Sequence, residues 1–223
     1  MSRPAGATVV VVLAAGAGRR LGGVPKALVR LGERTVLDRV LAASAAHADA
    51  GVWIVLGHHA EAIIDALPRP CASAGPWHTL RLADPGDDTA PSLHAALAAL
   101  PAGVGRVVVL LADQPLIGTD DLRAALDAFD RRPAGIHVLV PHWEGQPGHP
   151  VVLDATALAA LRARGHGGVK AWRRDHPAAV LLWDAPNDHP TVDIDTVEDV
   201  ARVAERLGAL AWALPDAPRS HRA

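Results

Sequence analysis

The decisive stretch of the chain reads Thr-Val-Val-Val-Val-Leu-Ala-Ala-Gly-Ala-Gly-Arg-Arg-Leu-Gly-Gly-Val-Pro-Lys and occupies residues 8–26. Its first half is an almost unbroken apolar run, which is typical of a strand covered on both faces of a parallel sheet. The glycines that follow let backbone N–H groups approach a polyphosphate, and Arg19, Arg20 and Lys26 can neutralise its charge. The segment therefore predicts a first strand followed by a phosphate-binding loop.

This loop differs from two familiar phosphate-binding sequences. A P-loop needs Gly-x4-Gly-Lys-Ser/Thr, but Pro25 precedes Lys26 and an alanine follows it, so no hydroxyl is available for a metal ion. The dinucleotide fingerprint needs Gly-x-Gly-x-x-Gly and an acidic residue about 20 residues later. Here three residues separate Gly18 from Gly22, and the second predicted strand ends at Leu56 without an acid. A glycine-rich turn with solvated arginines is the remaining alternative.

Apolar, β-branched runs alternate with alanine- and leucine-rich helical patterns along the chain. This alternation is typical of βαβ units, so we predict a single three-layer α/β domain with a mainly parallel, Rossmann-like sheet over residues 1–212. Residues 213–223, with two prolines and several charged residues, are predicted to be a flexible tail. Strands are predicted at Thr8–Ala14, Val52–Leu56, Thr79–Ala83, Arg106–Ala112, His137–Pro141, Val151–Leu153 and Ala178–Trp183. Helices are predicted at Val36–Ala48, Ala60–Leu67, Ser92–Leu100, Thr119–Phe129, Ala155–Ala163 and Thr196–Leu207.

Composition limits the class of partner. With 22 Lys+Arg against 24 Asp+Glu and no long basic run, we expect neither nucleic acid nor a membrane surface as a partner. The apolar runs fall short of the roughly 20 residues that cross a bilayer, and the first residues lack the apolar stretch of a signal peptide. We therefore expect a cytoplasmic protein that binds small molecules. The single cysteine, Cys71, is expected to be an unreactive loop residue.

Three aspartates are candidates for a metal site. Asp113 follows the fourth predicted strand, at the carboxyl edge where open α/β sheets bind ligands, and its carboxylate suits Mg²⁺. An Asx turn made with Gln114 and Pro115 is the alternative. Asp193 and Asp195 alternate with apolar residues, so on a strand both would lie on one face, and one of them would reach the same ion. Capping of the next helix is the alternative for Asp195.

Four motifs, in order, resemble those of the MobA-like NTP transferases, the family that includes the molybdenum-cofactor guanylyl- and cytidylyltransferases. They are Leu13–Lys26, Leu111–Pro115, Gly145–Pro150 and Val192–Asp199. The resemblance implies the fold of the nucleotide-diphospho-sugar transferases. It also implies transfer of a nucleoside monophosphate from a nucleoside triphosphate to a phosphorylated acceptor such as the molybdopterin cofactor, with release of pyrophosphate. Mg²⁺ would be the cofactor, and a molybdoenzyme or its chaperone would be a partner protein.

The resemblance also implies roles for individual residues. Arg20, Lys26 and Asp113 would be catalytic, with Arg20 and Lys26 on the triphosphate. Asp113 and Asp195 would bind the metal ion, Asp195 being favoured over Asp193 because the matching family residue faces the nucleotide phosphates. The first loop and one serine would bind the nucleotide through Leu13, Ala14, Ala15, Gly16, Gly18, Arg20, Lys26 and Ser92. Two residues of the third motif would bind the acceptor, Gly148 and His149.

Two turns depart from the family pattern. Asp88 stands where relatives commonly have a glycine four residues before Ser92, and its carboxylate would repel phosphates unless it points away from them or meets a metal ion. The Gly165–Val169 turn lacks the acid and the base of the family's Gly-Asp-Lys-Gly turn. The acceptor pocket is therefore expected to differ from that of a molybdenum-cofactor enzyme.

The base and the reaction class have named alternatives. Ala14-Ala15-Gly16 and the Gly-x-Pro-Gly-His-Pro loop are typical of the cytidylyl branch and predict CTP. The segment Leu21–Lys26 is one residue longer than in many cytidylyl relatives, as in the guanylyl branch. An NAD(P)H-dependent oxidoreductase like the nicotine blue oxidoreductases of the same superfamily is a second possible function, and the missing dinucleotide acid argues against it. A chaperone that binds molybdopterin without catalysis is a third.

Overall fold

A computed structural model describes residues 6–67, 75–86 and 88–215, so Cys71 lies outside the described residues. Strands and helices follow one another in the order β1 (Ala7–Ala14), β2 (Arg30–Leu31), β3 (Arg34–Thr35), α1 (Val36–Ala45), β4 (Val52–Leu56), α2 (Ala60–Ala66), β5 (Trp77–Arg81), α3 (Thr89–Ala99), β6 (Val104–Leu111), α4 (Thr119–Asp130), β7 (Val138–Trp143), β8 (Gln146–Pro147), β9 (Val151–Asp154), α5 (Ala155–Arg164), α6 (Val169–Asp175), β10 (Val180–Asp184), α7 (Val197–Arg206) and β11 (Trp212–Ala213). Among the described residues, none of these helices has the length and apolar character that a bilayer crossing requires.

The main sheet has the strand order β10-β7-β9-β6-β1-β4-β5, and β8 pairs with β7. β1 lies in the interior of the sheet, parallel to β4 on one side and to β6 on the other. β9 runs antiparallel to both of its neighbours, β6 and β7. The sheet is therefore mixed but mostly parallel, as the alternating sequence predicts.

Alternate residues of β1 face two separate apolar layers. Val10 and Val12 pack in the layer that contains buried residues of α1, α2, α4 and α7, whereas Val9 and Val11 pack in the layer of α3, α5 and α6. All four valines are fully buried, and burying one such side chain contributes about 1.5–3 kcal/mol. The three-layer arrangement is confirmed. Helices cover both faces of β1, and the glycine-rich loop follows its carboxyl end.

A second, small sheet was not predicted. β11, β2 and β3 pair in that order, with Ala213 opposite Arg30 and Trp212 opposite Leu31. Each strand has only two residues, too few to show a periodic pattern in the sequence. The paired part of the chain thus runs to Ala213, one residue beyond the predicted boundary, and residues 216–223 of the predicted tail lie outside the described residues.

Helix α6 was also not predicted, because its sequence follows a glycine-rich turn and has only seven residues. Gly165 ends α5 with a φ of 68°, and Gly168 precedes the first turn of α6. A Cβ on Gly168 would come within 3.3 Å of the Ala90 side chain in α3. The turn that departs from the family pattern therefore connects α5 to α6 and packs closely against α3.

Candidate active site

The carboxyl ends of β1 and β6 lie side by side. Leu13 is in register with Leu111, and the Ala112 N–H donates to the Leu13 carbonyl at 3.0 Å. β1 continues into the glycine-rich loop, and β6 continues into Asp113. Both candidate segments therefore leave the sheet at its carboxyl edge, where open α/β sheets bind their ligands.

Glycine conformation shapes the loop after β1. Gly18 has a φ of 65°, and a Cβ there would lie 2.0 Å from the carbonyl oxygen of Val24, so only glycine fits. The Gly18 carbonyl accepts the N–H of Gly23 at 2.9 Å and closes the loop around a 3₁₀ turn at Arg19–Leu21. A Cβ on Gly16, in contrast, would meet no atom within 4 Å.

A cavity of about 390 Å³ opens between this loop and the sheet edge. The predicted site residues that line it are Leu13, Ala14, Gly16, Gly18, Arg20, Lys26, Asp113 and Asp195. Four other predicted residues do not line it, namely Ala15, Ser92, Gly148 and His149. The structure therefore brings the predicted phosphate and metal residues together and leaves the predicted acceptor residues outside this cavity.

Lys26 lies between two carboxylates in the cavity. Its Nζ donates to Asp113 Oδ2 at 3.0 Å and also to Asp195 Oδ1. Arg20 Nη2 lies 2.6 Å from Asp195 Oδ2, although the Arg20 side chain is 71% exposed. Burial by itself lowers the pKa of Lys26, but attraction to Asp113 and hydrogen bonds to Asp195 and Asp113 outweigh it, so the pKa of Lys26 is raised. Lys26 is therefore a fixed positive charge at neutral pH.

The carboxylates of Asp113, Asp193 and Asp195 converge. One oxygen of each lies within 4.8 Å of the others. Burial, followed by repulsion from Asp113 and Asp195, raises the pKa of Asp193. Asp113 Oδ1 is buried and has no hydrogen-bond partner among the described residues. Three oxygen ligands with this charge fit a hard divalent cation such as Mg²⁺ or Mn²⁺, which would also relieve the repulsion.

Asp193 and Asp195 do not lie on a strand, so their alternation with apolar residues does not place them on one face of a sheet. They lie between a 3₁₀ turn at His189–Thr191 and α7, in a segment without sheet pairing. The Ile194 N–H instead donates to the backbone carbonyl of Asp113 at 3.0 Å. This bond, formed after the sheet has ended, holds the segment of both aspartates beside Asp113.

The alternative roles of Asp113 and Asp195 do not match their contacts. Thr196 caps α7, because its side chain accepts the Asp199 N–H at 3.2 Å while the Asp199 carboxylate accepts the Thr196 N–H at 2.9 Å. Asp195 binds Lys26 and Arg20 instead of capping the helix. The side chain of Asp113 likewise contacts Lys26 and makes no Asx turn within the described part of the chain.

The Gly145–Pro150 loop contacts the segment that leads to Asp195. A Cβ on Gly148 would lie 2.0 Å from the carbonyl oxygen of Pro190, so this close approach requires glycine. The His149 N–H donates to the same carbonyl at 3.0 Å. Burial lowers the pKa of His149 to about 4, so its imidazole is neutral at physiological pH.

Asp88 caps a helix. Its Oδ1 accepts the Ala90 N–H at 3.0 Å, and α3 therefore begins at Thr89 rather than at the predicted Ser92. The carboxylate that departs from the family pattern is thus bound to backbone. Ser92 lies inside α3 and is only 4% exposed, and its contact with a nucleoside stays a prediction.

Gln114 was missed as a site residue by the sequence analysis. It follows Asp113, is buried, and its Nε2 donates to the Pro190 carbonyl at 2.9 Å. The sequence offered one indication of a role for Gln114, its amide side chain inside the Leu111–Pro115 motif. Its hydrogen-bond partner, Pro190, could not be recognised, because it lies 76 residues away and has no side-chain donor or acceptor.

The profile of the MobA-like NTP transferase domain matches residues 10–180. The chain belongs to this family. Its fold is that of the nucleotide-diphospho-sugar transferases, as its solved structural neighbours show. Rv0371c of Mycobacterium tuberculosis H37Rv is 28% identical with a TM-score of 0.69, and the alignment covers 90% of this chain and 99% of that one. Rv0371c has also been solved in complex with manganese, and this chain is 27% identical to that structure, with a TM-score of 0.66.

Two curated relatives of this NTP transferase chain differ in their described activities. Nicotine blue oxidoreductase of Paenarthrobacter nicotinovorans is 31% identical over 202 residues, which cover 86% of this chain and 94% of that one. The bifunctional protein GlmU of Rhodococcus opacus is 36% identical over 200 residues, which cover 89% of this chain and 35% of that one. The chain thus spans only about a third of the length of the GlmU relatives.

Proposed function

We propose that this protein transfers a nucleoside monophosphate from a nucleoside triphosphate, CTP by preference, to a phosphorylated acceptor of the molybdopterin type. The observation that carries the proposal is one cavity lined by Arg20, Lys26, Asp113 and Asp195. A carboxylate oxygen of Asp193 lies within 4.8 Å of an oxygen of each of these two aspartates. A triphosphate next to three carboxylates needs a divalent cation between them, and Mg²⁺ is usually bound by a few carboxylates together with substrate phosphates. We propose Mg²⁺ for this role and the cytoplasm as the location.

In this reaction a phosphate oxygen of the acceptor attacks the α-phosphorus. A new oxygen–phosphorus bond forms, the bond from the α-phosphorus to the bridging β-phosphate oxygen breaks, and pyrophosphate leaves with that electron pair. The attacking oxygen is already anionic at neutral pH, so no general base is required. When bound, the metal ion would neutralise charge on the phosphoryl oxygens.

The side chains of this chain contribute position and charge. The backbone of the Gly16–Gly18 segment would hold the triphosphate, and Arg20 and Lys26 would neutralise part of its negative charge. Asp113 and Asp195 would bind the metal ion. Gly148 and His149 are proposed to contact the acceptor from beside the cavity. A neutral imidazole such as that of His149 can give or take one hydrogen bond without adding charge.

An oxidoreductase is the second candidate, because nicotine blue oxidoreductase matches over 94% of its length. The acidic cluster argues against it. The pyrophosphate of a nicotinamide dinucleotide would lie next to three carboxylates and be repelled by them, because hydride transfer does not require the divalent cation that nucleotidyl transfer uses. In addition, β4 ends at Leu56 and continues as Gly-His-His, so no acid stands at the end of this strand, where a dinucleotide site has the one that binds the ribose hydroxyl.

A thermal-shift panel with and without Mg²⁺ tests the proposal, using CTP, GTP, ATP, UTP and NADPH as ligands. A ligand at 100 times its dissociation constant adds about 2.7 kcal/mol of stability. We expect the largest Mg²⁺-dependent shift with CTP, and pyrophosphate release when molybdopterin is added. A larger shift with GTP would assign the guanylyl reaction, and a metal-independent shift with NADPH alone would favour the oxidoreductase. Molybdopterin binding without pyrophosphate release would indicate a carrier.

A further inference from the structure

One backbone carbonyl joins three parts of the site. The Pro190 carbonyl oxygen accepts the Gln114 side-chain amide at 2.9 Å and the His149 N–H at 3.0 Å. Gln114 belongs to the turn after β6 that carries Asp113, and Pro190 belongs to the segment that continues to Asp195. The turn that supplies one carboxylate is therefore bonded to the segment that supplies the other two.

The Gln114 bond is the side-chain part of this connection. The Ile194 N–H donates to the Asp113 carbonyl, but this backbone bond does not depend on which side chain follows Asp113. Gln114 acts four residues upstream, at the start of the segment, where Pro190 lies inside the 3₁₀ turn. With both bonds in place, the segment is held at Pro190 and at Ile194, on either side of Asp193.

Stability alone gives a poor account of this glutamine. Its side chain is buried, yet Oε1 has no hydrogen-bond partner among the described residues. A buried acceptor without a partner lowers the stability of the fold, and an apolar side chain of similar length would avoid this cost in free energy. A glutamine at this position is better explained by what its amide holds in place.

We propose that Gln114 is a positioning residue that fixes the Pro190–Asp195 segment against the turn after β6, so that Asp113, Asp193 and Asp195 converge on one divalent cation. The inference rests on the proposed function. Gln114 does not line the cavity, and its amide is directed to Pro190. The three carboxylates repel one another, so a segment released at Pro190 moves its two carboxylates away from Asp113 and weakens the site.

Mn²⁺ binding to the nucleotide-free protein is the direct test, measured from the electron paramagnetic resonance signal of free Mn²⁺. Gln114→Met keeps the length of the side chain and removes the donor. Gln114 holds the segment of two candidate ligands and bonds neither ligand directly, so we expect the Mn²⁺ dissociation constant to rise roughly 10-fold, the lower end of the range for loss of a ligand's own hydrogen-bond partner. CTP binding in EDTA and the melting temperature without metal should stay near those of the wild type.

Ser44→Ala is the matched control. It removes another buried hydrogen-bond donor, the Ser44 hydroxyl, which donates to the Val40 carbonyl at 2.7 Å inside α1. Ser44 does not line the cavity. Mn²⁺ binding of this variant should equal that of the wild type. The comparison separates the loss of a buried hydrogen bond in general from the loss of the bond to Pro190.

Gln114→Glu provides the decisive second variant if Gln114→Met does not fold. It keeps the size and polarity of glutamine, cannot donate when ionised, and adds a negative charge that by itself would tighten cation binding. Weaker Mn²⁺ binding in Gln114→Glu would support positioning against that charge effect. Mn²⁺ binding as tight as in the wild type for Gln114→Met, or tighter than in the wild type for Gln114→Glu, would overturn the inference, as would an equal loss of Mn²⁺ and metal-free CTP binding. A wild-type protein that binds no Mn²⁺ would instead refute the metal site of the proposed function, and the inference with it.

Discussion

The backbone N–H of Ile194 donates to the backbone carbonyl of Asp113 at 3.0 Å. Both atoms belong to the main chain, so substitutions of the neighbouring carboxylates leave this bond in place. Asp113 and Asp195 can therefore be altered one at a time while the segments that carry them stay together. This separates the chemistry of the side chains from the stability of the fold.

Asp113→Asn should abolish most of the turnover without unfolding the protein. Asparagine keeps the size of the side chain but loses the negative charge that would hold the metal ion. We expect pyrophosphate release to fall roughly 100- to 1000-fold, the range seen when one preorganised charge-stabilising group is removed. The control is Asp120→Asn, an aspartate of α4 that is 86% exposed. A rate for Asp113→Asn within a few-fold of the wild type, with saturating Mg²⁺ and acceptor, would contradict the assignment.

Lys26→Met should have opposite effects on metal ion and nucleotide. The ammonium group lies between Asp113 and Asp195, so it competes with a cation in the nucleotide-free protein. Its removal should tighten Mn²⁺ binding and weaken CTP binding, which isothermal titration calorimetry can measure separately. Lys170→Met is the matched control, since this exposed lysine of α6 does not line the cavity. Unchanged affinities for both ligands would show that Lys26 has no role in the site.

Two glycines of the loop should respond differently to alanine. Gly16→Ala should fold normally, because its Cβ would meet no atom within 4 Å, but the added methyl group should lower CTP affinity by keeping the triphosphate from the backbone. Gly18→Ala should disrupt the loop itself, since its Cβ would overlap the Val24 carbonyl and its φ is positive. Melting curves and CTP titrations distinguish the two effects. Equal destabilisation by both substitutions would mean that the loop has a different conformation.

Stability should depend on pH through His149. The pKa of His149 is about 4 in the folded protein, whereas an unperturbed histidine has a pKa of 6.5. Between pH 4 and pH 6.5 the imidazole is therefore protonated in the unfolded chain and neutral in the folded protein. The contribution of His149 is complete above about pH 6.5 and is lost as the pH falls towards 4. Between pH 7.5 and 5 the loss is at most about 2 kcal/mol. Urea unfolding of the wild type and of His149→Gln at both pH values measures it, and an identical pH dependence of the two proteins would contradict the expected burial.

Local patterns in the sequence predicted the parts of the site that follow directly from strands. The buried run of β1 places the glycine-rich loop, and the buried run of β6 places Asp113 at the same edge. The sequence could not predict the bond from Gln114 to Pro190, because it joins residues far apart in the chain through a backbone atom. The strands β2, β3 and β11 have two residues each, too few for a periodic signal, and β11 in addition pairs with a strand about 180 residues earlier in the chain.

The contact between Lys26 and Asp195 spans 169 residues of the chain. During synthesis on the ribosome, β1 and the glycine-rich loop emerge long before the segment that completes the acidic cluster. A nascent or truncated chain that stops before Asp195 therefore has the glycine-rich loop but lacks part of the proposed cation site. Under the proposed function, metal-dependent nucleotide binding would report that the late part of the chain has docked, and it would serve as a probe of complete folding in refolding or translation experiments.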